Sequence, residues 1–393
     1  MHSTKEKIDF NNTALAFQHY SDKELKRLYR LFRLIDSPFL TRIGPGLVEK
    51  SLSLGLPVEP LLRKTLYEIF CGGPNLEASL PTLNKLDSNG VKTILDYSVE
   101  GEKNERGFET TFDELYRSIE FGGREKAVSF VALKVSGLGD VDLLAKLQAG
   151  SQLTPAEQEA FQRIKKRLST LCEASVNHDL PVFIDAEESW IQGPVDEMVE
   201  ELMAAYNTDK AYVYTTVQLY RHDRLAYLKK LLKGSETRHY IPGIKLVRGA
   251  YLEKENERAE EWGYPTPIQP TKAATDADFN TALELCIQSI EQVAICAGTH
   301  NEASSMLLVE LMEKHGLAPN HTHICFAQLL GMSNHISFNL AAQGYRTAKY
   351  VPYGPVKAVI PYLMRRANEN TAIAGQSSRE VELLRKEVKR RRL

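Results

Sequence analysis

The stretch LPVFIDAEESWIQGPVDEMVEELMAAYNTDKAYVYTTVQLY, residues 180–220, reads as strand, helix, strand. Its ends, LPVFIDAE (180–187) and AYVYTTVQLY (211–220), are rich in β-branched and aromatic residues, which suit a pleated strand. Between them VDEMVEELMAAYN (195–207) repeats its apolar residues at helical spacing. Several strand candidates are near-continuous apolar runs, the pattern of parallel strands covered on both faces.

The same rhythm extends outward in both directions. Strand candidates are VKTILDYS (91–98), AVSFVALKVS (127–136), the pair above, IPGIKLVRG (241–249), VAICAGTHN (293–301), HTHICFAQL (321–329) and AKYVPYG (348–354). Helical patterns such as RLAYLKKLLK (224–233) and SSMLLVELMEKHG (304–316) lie between them. Eight alternations predict an α/β fold, a (βα)8 barrel of the TIM type. A doubly wound sheet is the alternative. Against it, no strand is followed by G-x-G-x-x-G, and G-x-x-x-x-G-K-[ST] is absent. Residues 1–90 read as a helical arm. Ser21-Asp22-Lys23-Glu24 has the form of a capping box, and further helical runs are expected over 44–54 and 58–71, the second stopped by Gly72-Gly73-Pro74. The division is a 1–90 arm, a 91–376 barrel and a 377–393 basic helical tail.

The composition of the 393 residues, 43% hydrophobic and 25% charged, is that of an ordinary globular protein. Lys+Arg 49 against Asp+Glu 51 leaves a charge of −2, which argues against a nucleic-acid binder. The five cysteines include no C-x-x-C pair, so neither a zinc site nor a disulfide framework is expected, and a reducing compartment fits. The first twenty residues lack the apolar segment of a signal peptide, and no apolar run of about 18 residues suggests a membrane span.

Barrel chemistry sits at the C-terminal ends of strands. Here those ends carry Asp96 and Glu100, Lys134, Asp185, Gln218, Arg248, Thr299-His300-Asn301, Gln328 and Tyr350. Each alone reads equally well as a solvated strand end or a satisfied buried group. Their repetition at one end of eight units points to a site. Lys134 and Asp185 lie on neighbouring strands, and an ion pair between them is expected. THNEAS (299–304) opens a helix, either as an anion site or simply as an N-cap. In PYLMRRANEN (361–370), Tyr362, Arg365 or Arg366, and Glu369 share a helix face. Paired arginines bind carboxylates or phosphates through charge-assisted bonds, and a solvated basic face is the plain alternative.

KLVRGAYLEKE (245–255), THNEAS, FAQLLGM (326–332), KYVPYGPV (349–356) and PYLMRRANEN together resemble proline dehydrogenase, the flavin-dependent first enzyme of proline catabolism. FCGGPNLEAS, LDYSVEGE and VFIDAEES fit the same family. The resemblance covers roughly residues 70–376 and is closer to the single-function, eukaryotic-like type than to the bifunctional bacterial one. It implies a distorted (βα)8 barrel, FAD at the strand ends, and a last helix lying over the barrel mouth. By resemblance, Arg365 and Arg366 hold the carboxylate of L-proline, and Lys134 and Asp185 are an ion pair near the substrate. Tyr350, Tyr362 and Leu246 wall its ring. Asp185, Gln218, Lys245, Val247, Arg248, Gly249, Thr299, His300, Asn301, Arg366 and Glu369 match cofactor-binding positions. Lys245 stands where the bifunctional type has arginine.

The resemblance implies hydride transfer from proline to flavin, giving Δ1-pyrroline-5-carboxylate, and a quinone as electron acceptor. Tyr350 favours proline over hydroxyproline. A catalytically silent barrel is the contrasting reading, and bound flavin distinguishes the two. No metal is expected. The expected location is cytoplasmic and peripheral on the inner face of the plasma membrane, or the mitochondrial inner membrane in a eukaryote. The tail REVELLRKEVKRRRL (379–393) reads either as a contact for anionic lipid or as a frayed helix end. The arm either covers the barrel or forms an interface in an oligomer.

Overall fold

The computed structural model describes residues 8–35, 60, 63–99, 104–359, 362–363 and 376–393. Eight strands follow one another in chain order around a closed barrel: β1 (Val91–Tyr97), β2 (Val128–Lys134), β3 (Val182–Asp185), β4 (Val213–Gln218), β5 (Gly243–Val247), β6 (Ala294–Gly298), β7 (Ile324–Leu329) and β8 (Thr347–Tyr353). Every strand expected from the sequence is present, most of them with trimmed ends. The alternation of helices between strands is that of a TIM-type barrel. Pairing is parallel from β2 through β7, and it sets Lys134 level with Asp185, Gln218 with Val247, and Lys245 with Cys296.

The link from β2 to β3 is longer than one helix. It holds Val141–Gln148 and then Pro155–Asn177. The second starts on a full capping box, Thr154 with Glu157, and has proline at its first position, where no backbone donor is needed.

The chain divides into two compact units. One comprises residues 1–93, 98–100 and 328–393, the other residues 94–97 and 101–327. In the first, helix Asp22–Ile35 opens on the expected capping box: Ser21 N–H donates to Glu24 Oε2 at 2.7 Å and Glu24 N–H to Ser21 Oγ at 3.3 Å. Leu25, Leu28 and Phe32 bury against Leu383 and Leu384 of helix Gln376–Arg390. The helical segment Arg63–Tyr67 and Glu68–Phe70 stops just before Cys71-Gly72-Gly73, as expected. The run expected over 44–54 lies outside the described residues.

The basic tail is tied to this unit. Arg391 donates to the carbonyls of Tyr20 and Phe17, both at 2.8 Å, and Lys386 to that of Asn11 at 2.8 Å. Arg390 and Arg391 both grip the buried carboxylate of Glu387. Cations near the end of a helix satisfy carbonyls that lack intrahelical donors.

In the second unit, β4 is buried along its whole length. Helices Ser189–Tyr206 and Arg224–Arg238 are joined by a bidentate pair, Arg224 to Asp196 at 2.7 and 3.0 Å.

Candidate active site

Polar side chains gather at the exits of β1 to β6 in the second unit. Lys134, the last residue of β2, reaches Asp96 of β1 at 3.8 Å. Asp185, the last residue of β3, accepts a hydrogen bond from Lys245 of β5. Lys134 and Asp185, the ion pair expected from the sequence, stand level in register at the ends of β2 and β3. Lys245 reaches past β4 to the carboxylate, with its ammonium 5.4 Å from the centre of the Phe183 ring. Leu246 is fully buried and pairs in register with Val217 and Ala297.

Arg248 follows β5 and is half-buried in a polar clamp. Its Nε donates to Asp276 Oδ1 at 2.7 Å, Nη1 to Thr299 Oγ1 at 2.7 Å, and Nη2 to Ser304 Oγ at 3.0 Å. The guanidinium lies 4.5 Å from the centre of the Phe279 ring. Burial lowers the arginine's pKa, and Asp276 opposes that shift. Asn301 caps helix Glu302–Lys314 by accepting from Ser304 N–H at 3.0 Å, while its own N–H donates to Thr299 Oγ1 at 3.1 Å. The N-cap reading of THNEAS is thus realised. His300 is half-buried beside it.

One feature suits a ligand that offers a hydrogen-bond donor. Gln218 is 2% exposed, and its Oε1 accepts no hydrogen bond. A buried acceptor without a donor costs about 1–3 kcal/mol unless something supplies one, as a flavin's imide N–H would. Gly249 has φ +138°, and a Cβ there would lie 2.3 Å from the Tyr220 ring. Only glycine keeps the backbone this close and in this conformation. The unpaired acceptor of Gln218 fits a group such as FAD, whose ring offers an N–H.

A carboxyl that the sequence reading left unassigned completes the group. Glu187, two residues beyond Asp185, is buried and accepts from both the N–H (3.1 Å) and the hydroxyl of Ser136. Burial pushes its pKa up to about 7, although Ser136 and Lys134 pull the other way.

The residues carried by the first unit are described separately. Tyr350 of β8 is nearly buried, and its carbonyl accepts from Leu330 N–H at 2.9 Å. Tyr362 is 1% exposed, in an apolar cluster with Tyr67, Phe70, Met332 and Leu363. Arg365, Arg366 and Glu369 lie outside the described residues, as do Glu100 and most of the helix expected over the barrel mouth.

The family model described as proline dehydrogenase matches residues 79–379, well over half of the chain. This chain belongs to the proline dehydrogenase family. Among similar curated proteins is the carbapenem antibiotics biosynthesis protein CarD of Pectobacterium carotovorum subsp. carotovorum, 34% identical over 82% of this chain and 84% of that protein. Another is the mitochondrial proline dehydrogenase 1 of Drosophila melanogaster, 36% identical over 61% of this chain but only 37% of that protein. Proline utilization A from Bdellovibrio bacteriovorus, a crystal structure inactivated by N-propargylglycine, superposes with a TM-score of 0.73 at 19% identity. It covers 97% of this chain and 42% of that one, a likeness of fold alone.

Within the proline dehydrogenase frame, sequence reasoning missed Asp276, Phe279, Ser304 and Glu187. Asp276 also bonds Lys272 at 2.7 Å, four residues earlier on helix Lys272–Gln288. In the sequence that spacing looks like an ordinary surface pair. Glu187 carried a signal, since it falls at a strand exit within DAEE.

Proposed function

We propose that this proline dehydrogenase family member oxidises L-proline to Δ1-pyrroline-5-carboxylate with FAD and passes the electrons to a quinone. Family membership makes it an oxidoreductase of proline catabolism. The observation that carries the cofactor is the orphaned buried acceptor of Gln218 beside a clamped arginine at the barrel's strand exits.

FAD, when bound, supplies the two-electron chemistry, while the protein supplies binding, orientation and electrostatics. Gln218, Lys245, Val247, Arg248, Gly249, Thr299, His300, Asn301, Asp185, Arg366 and Glu369 hold it. Arg365 and Arg366 grip the proline carboxylate by charge-assisted bonds. Tyr350, Tyr362 and Leu246 fix the ring, so that the carbon next to nitrogen is held for reaction. Proline must be an amine rather than an ammonium to give up a hydride. Lys134 is a cation near the substrate, and a nearby like charge favours the neutral amine.

Quinone reduction implies peripheral contact with a membrane, at the cytoplasmic face in a bacterium or at the mitochondrial inner membrane in a eukaryote. Among the described residues no helix is long and apolar enough to cross a membrane. Several cations of the tail are already committed to protein partners, which favours helix packing over lipid contact for that segment.

The decisive experiment is anaerobic addition of L-proline to the purified, FAD-loaded protein. Bleaching of the flavin absorbance is expected. A colourless protein that FAD cannot reconstitute, or a flavin that proline leaves oxidised, sinks the reading. Arg365→Ala or Arg366→Ala removes a contact of about 1.5–3 kcal/mol, so the KM for proline should rise roughly tenfold or more. An unchanged KM refutes their assigned role.

A further inference from the structure

Arg248 leaves a strand, but what fixes it comes largely from outside the strand exits. Helix Lys272–Gln288 supplies Asp276 to its Nε, Phe279 under its face, and Asn280, whose Oδ1 accepts from Ser304 Oγ at 2.8 Å. Lys272 holds the second carboxylate oxygen of Asp276 at 2.7 Å. A guanidinium has five N–H bonds. Three are spent here, one each on Asp276, Thr299 and Ser304. One N–H on each terminal nitrogen is left over, a fork suited to a ligand's oxygens.

We propose that Asp276 is the positioning residue that sets this fork for the cofactor. It takes the single Nε donor, and this fixes the rotation of the guanidinium plane. Phe279 stops the plane from tilting. Without Asp276 the arginine keeps its charge and its two hydroxyl partners but loses its fixed orientation. A flexible cation binds an anionic or carbonyl-rich ligand less well, because ordering it costs entropy on binding. The inference rests on the reading that the site holds FAD, and the test separates the two.

The protein is stripped of flavin and titrated with FAD, with binding followed by flavin fluorescence. Tight binding to the unmodified chain is expected. Its failure would remove both the FAD reading and this role. Given binding, Asp276→Asn should raise the FAD dissociation constant tenfold or more. Asp276→Glu should restore most of it, and the thermal midpoint of the FAD-free protein should move little. The reduction potential of the bound flavin should also shift in Asp276→Asn. If Asp276→Asn binds FAD within twofold of the parent at unchanged potential, the assignment is overturned. Should that variant fail to fold, Lys272→Met replaces it. Lys272 is mostly exposed, so the fold tolerates the change. It frees one carboxylate oxygen and should weaken FAD two- to fivefold, and no change there overturns the assignment equally.

Discussion

Lys245 and Lys349 are both buried in barrel strands, yet they are accommodated differently. Lys245, in the unit that carries the strand-exit cluster, donates to the carboxylate of Asp185. Lys349, in the unit built from the two chain termini, is completely buried, and its ammonium donates to the backbone carbonyls of Met332 and Leu329. Glu380 of helix Gln376–Arg390 supplies its countercharge. That glutamate accepts from the N–H of Ser333, whose φ of +47° is rare for a residue with a side chain. Burial brings the Lys349 pKa down to about 7, with Glu380 holding it up. Directly paired charges keep a cation where chemistry needs one. A lysine held mainly by carbonyls has its charged form disfavoured by burial, with Glu380 opposing that effect.

The largest effect is expected from Asp185→Ala. It removes the carboxylate that accepts from the Lys245 ammonium, and breaking a buried pair on one side costs about 3–5 kcal/mol. Urea unfolding measures it. A loss under about 1 kcal/mol would mean that water or another group already serves Lys245.

Next is Glu380→Gln. The amide still accepts from Ser333 but no longer opposes the Lys349 charge, so a loss of about 1–3 kcal/mol is expected at pH 6. At pH 9 the loss should shrink, because Lys349 has then given up its proton. Equal losses at both values would break the comparison. The parent protein reports on the same group. The unfolded chain releases this proton near 10.5 and the folded protein near 7. The unfolded state therefore binds more protons between those values, and stability climbs with pH across that window.

The smallest effect concerns Glu187 in the other unit, and its sign is reversed. The folded protein keeps this proton to about pH 7, whereas the unfolded chain releases it near 4.5. Its contribution is complete below about 4.5 and is lost as pH rises through 7. Glu187→Gln should flatten the melting temperature against pH over that range relative to the parent. An unchanged slope would show that Glu187 is ionised in the folded protein.

The barrel was legible because β-branched runs and helical spacing alternate without interruption from residue 91 onward. Gln218 was legible too, as a polar residue closing an apolar strand. Partner choice was not. Register brings Lys134 beside Asp185, and the same carboxylate also takes Lys245, which reaches past an intervening strand. Distances across a barrel follow from its curvature, which a linear pattern does not encode. Asp276 was hidden by its spacing from Lys272, and Lys349 by its position inside an apolar run next to the more conspicuous Tyr350. The arginine pair was legible as a motif and lies beyond the described residues.

The tie between Arg391 and the carbonyls of Phe17 and Tyr20 has a consequence for how the molecule is made. The bonded residues are 374 and 371 positions apart, and Tyr67 likewise waits for Gly354, 287 positions later. Such remote closures cost loop entropy before they return any contact energy, so they form late. Leu25, Leu28 and Phe32 of the arm share their core with Tyr67 and Phe70, which follow soon after, but also with Met332, Leu383 and Leu384, which are made much later. A nascent chain stalled before residue 376 would therefore hold that core without Leu383 and Leu384.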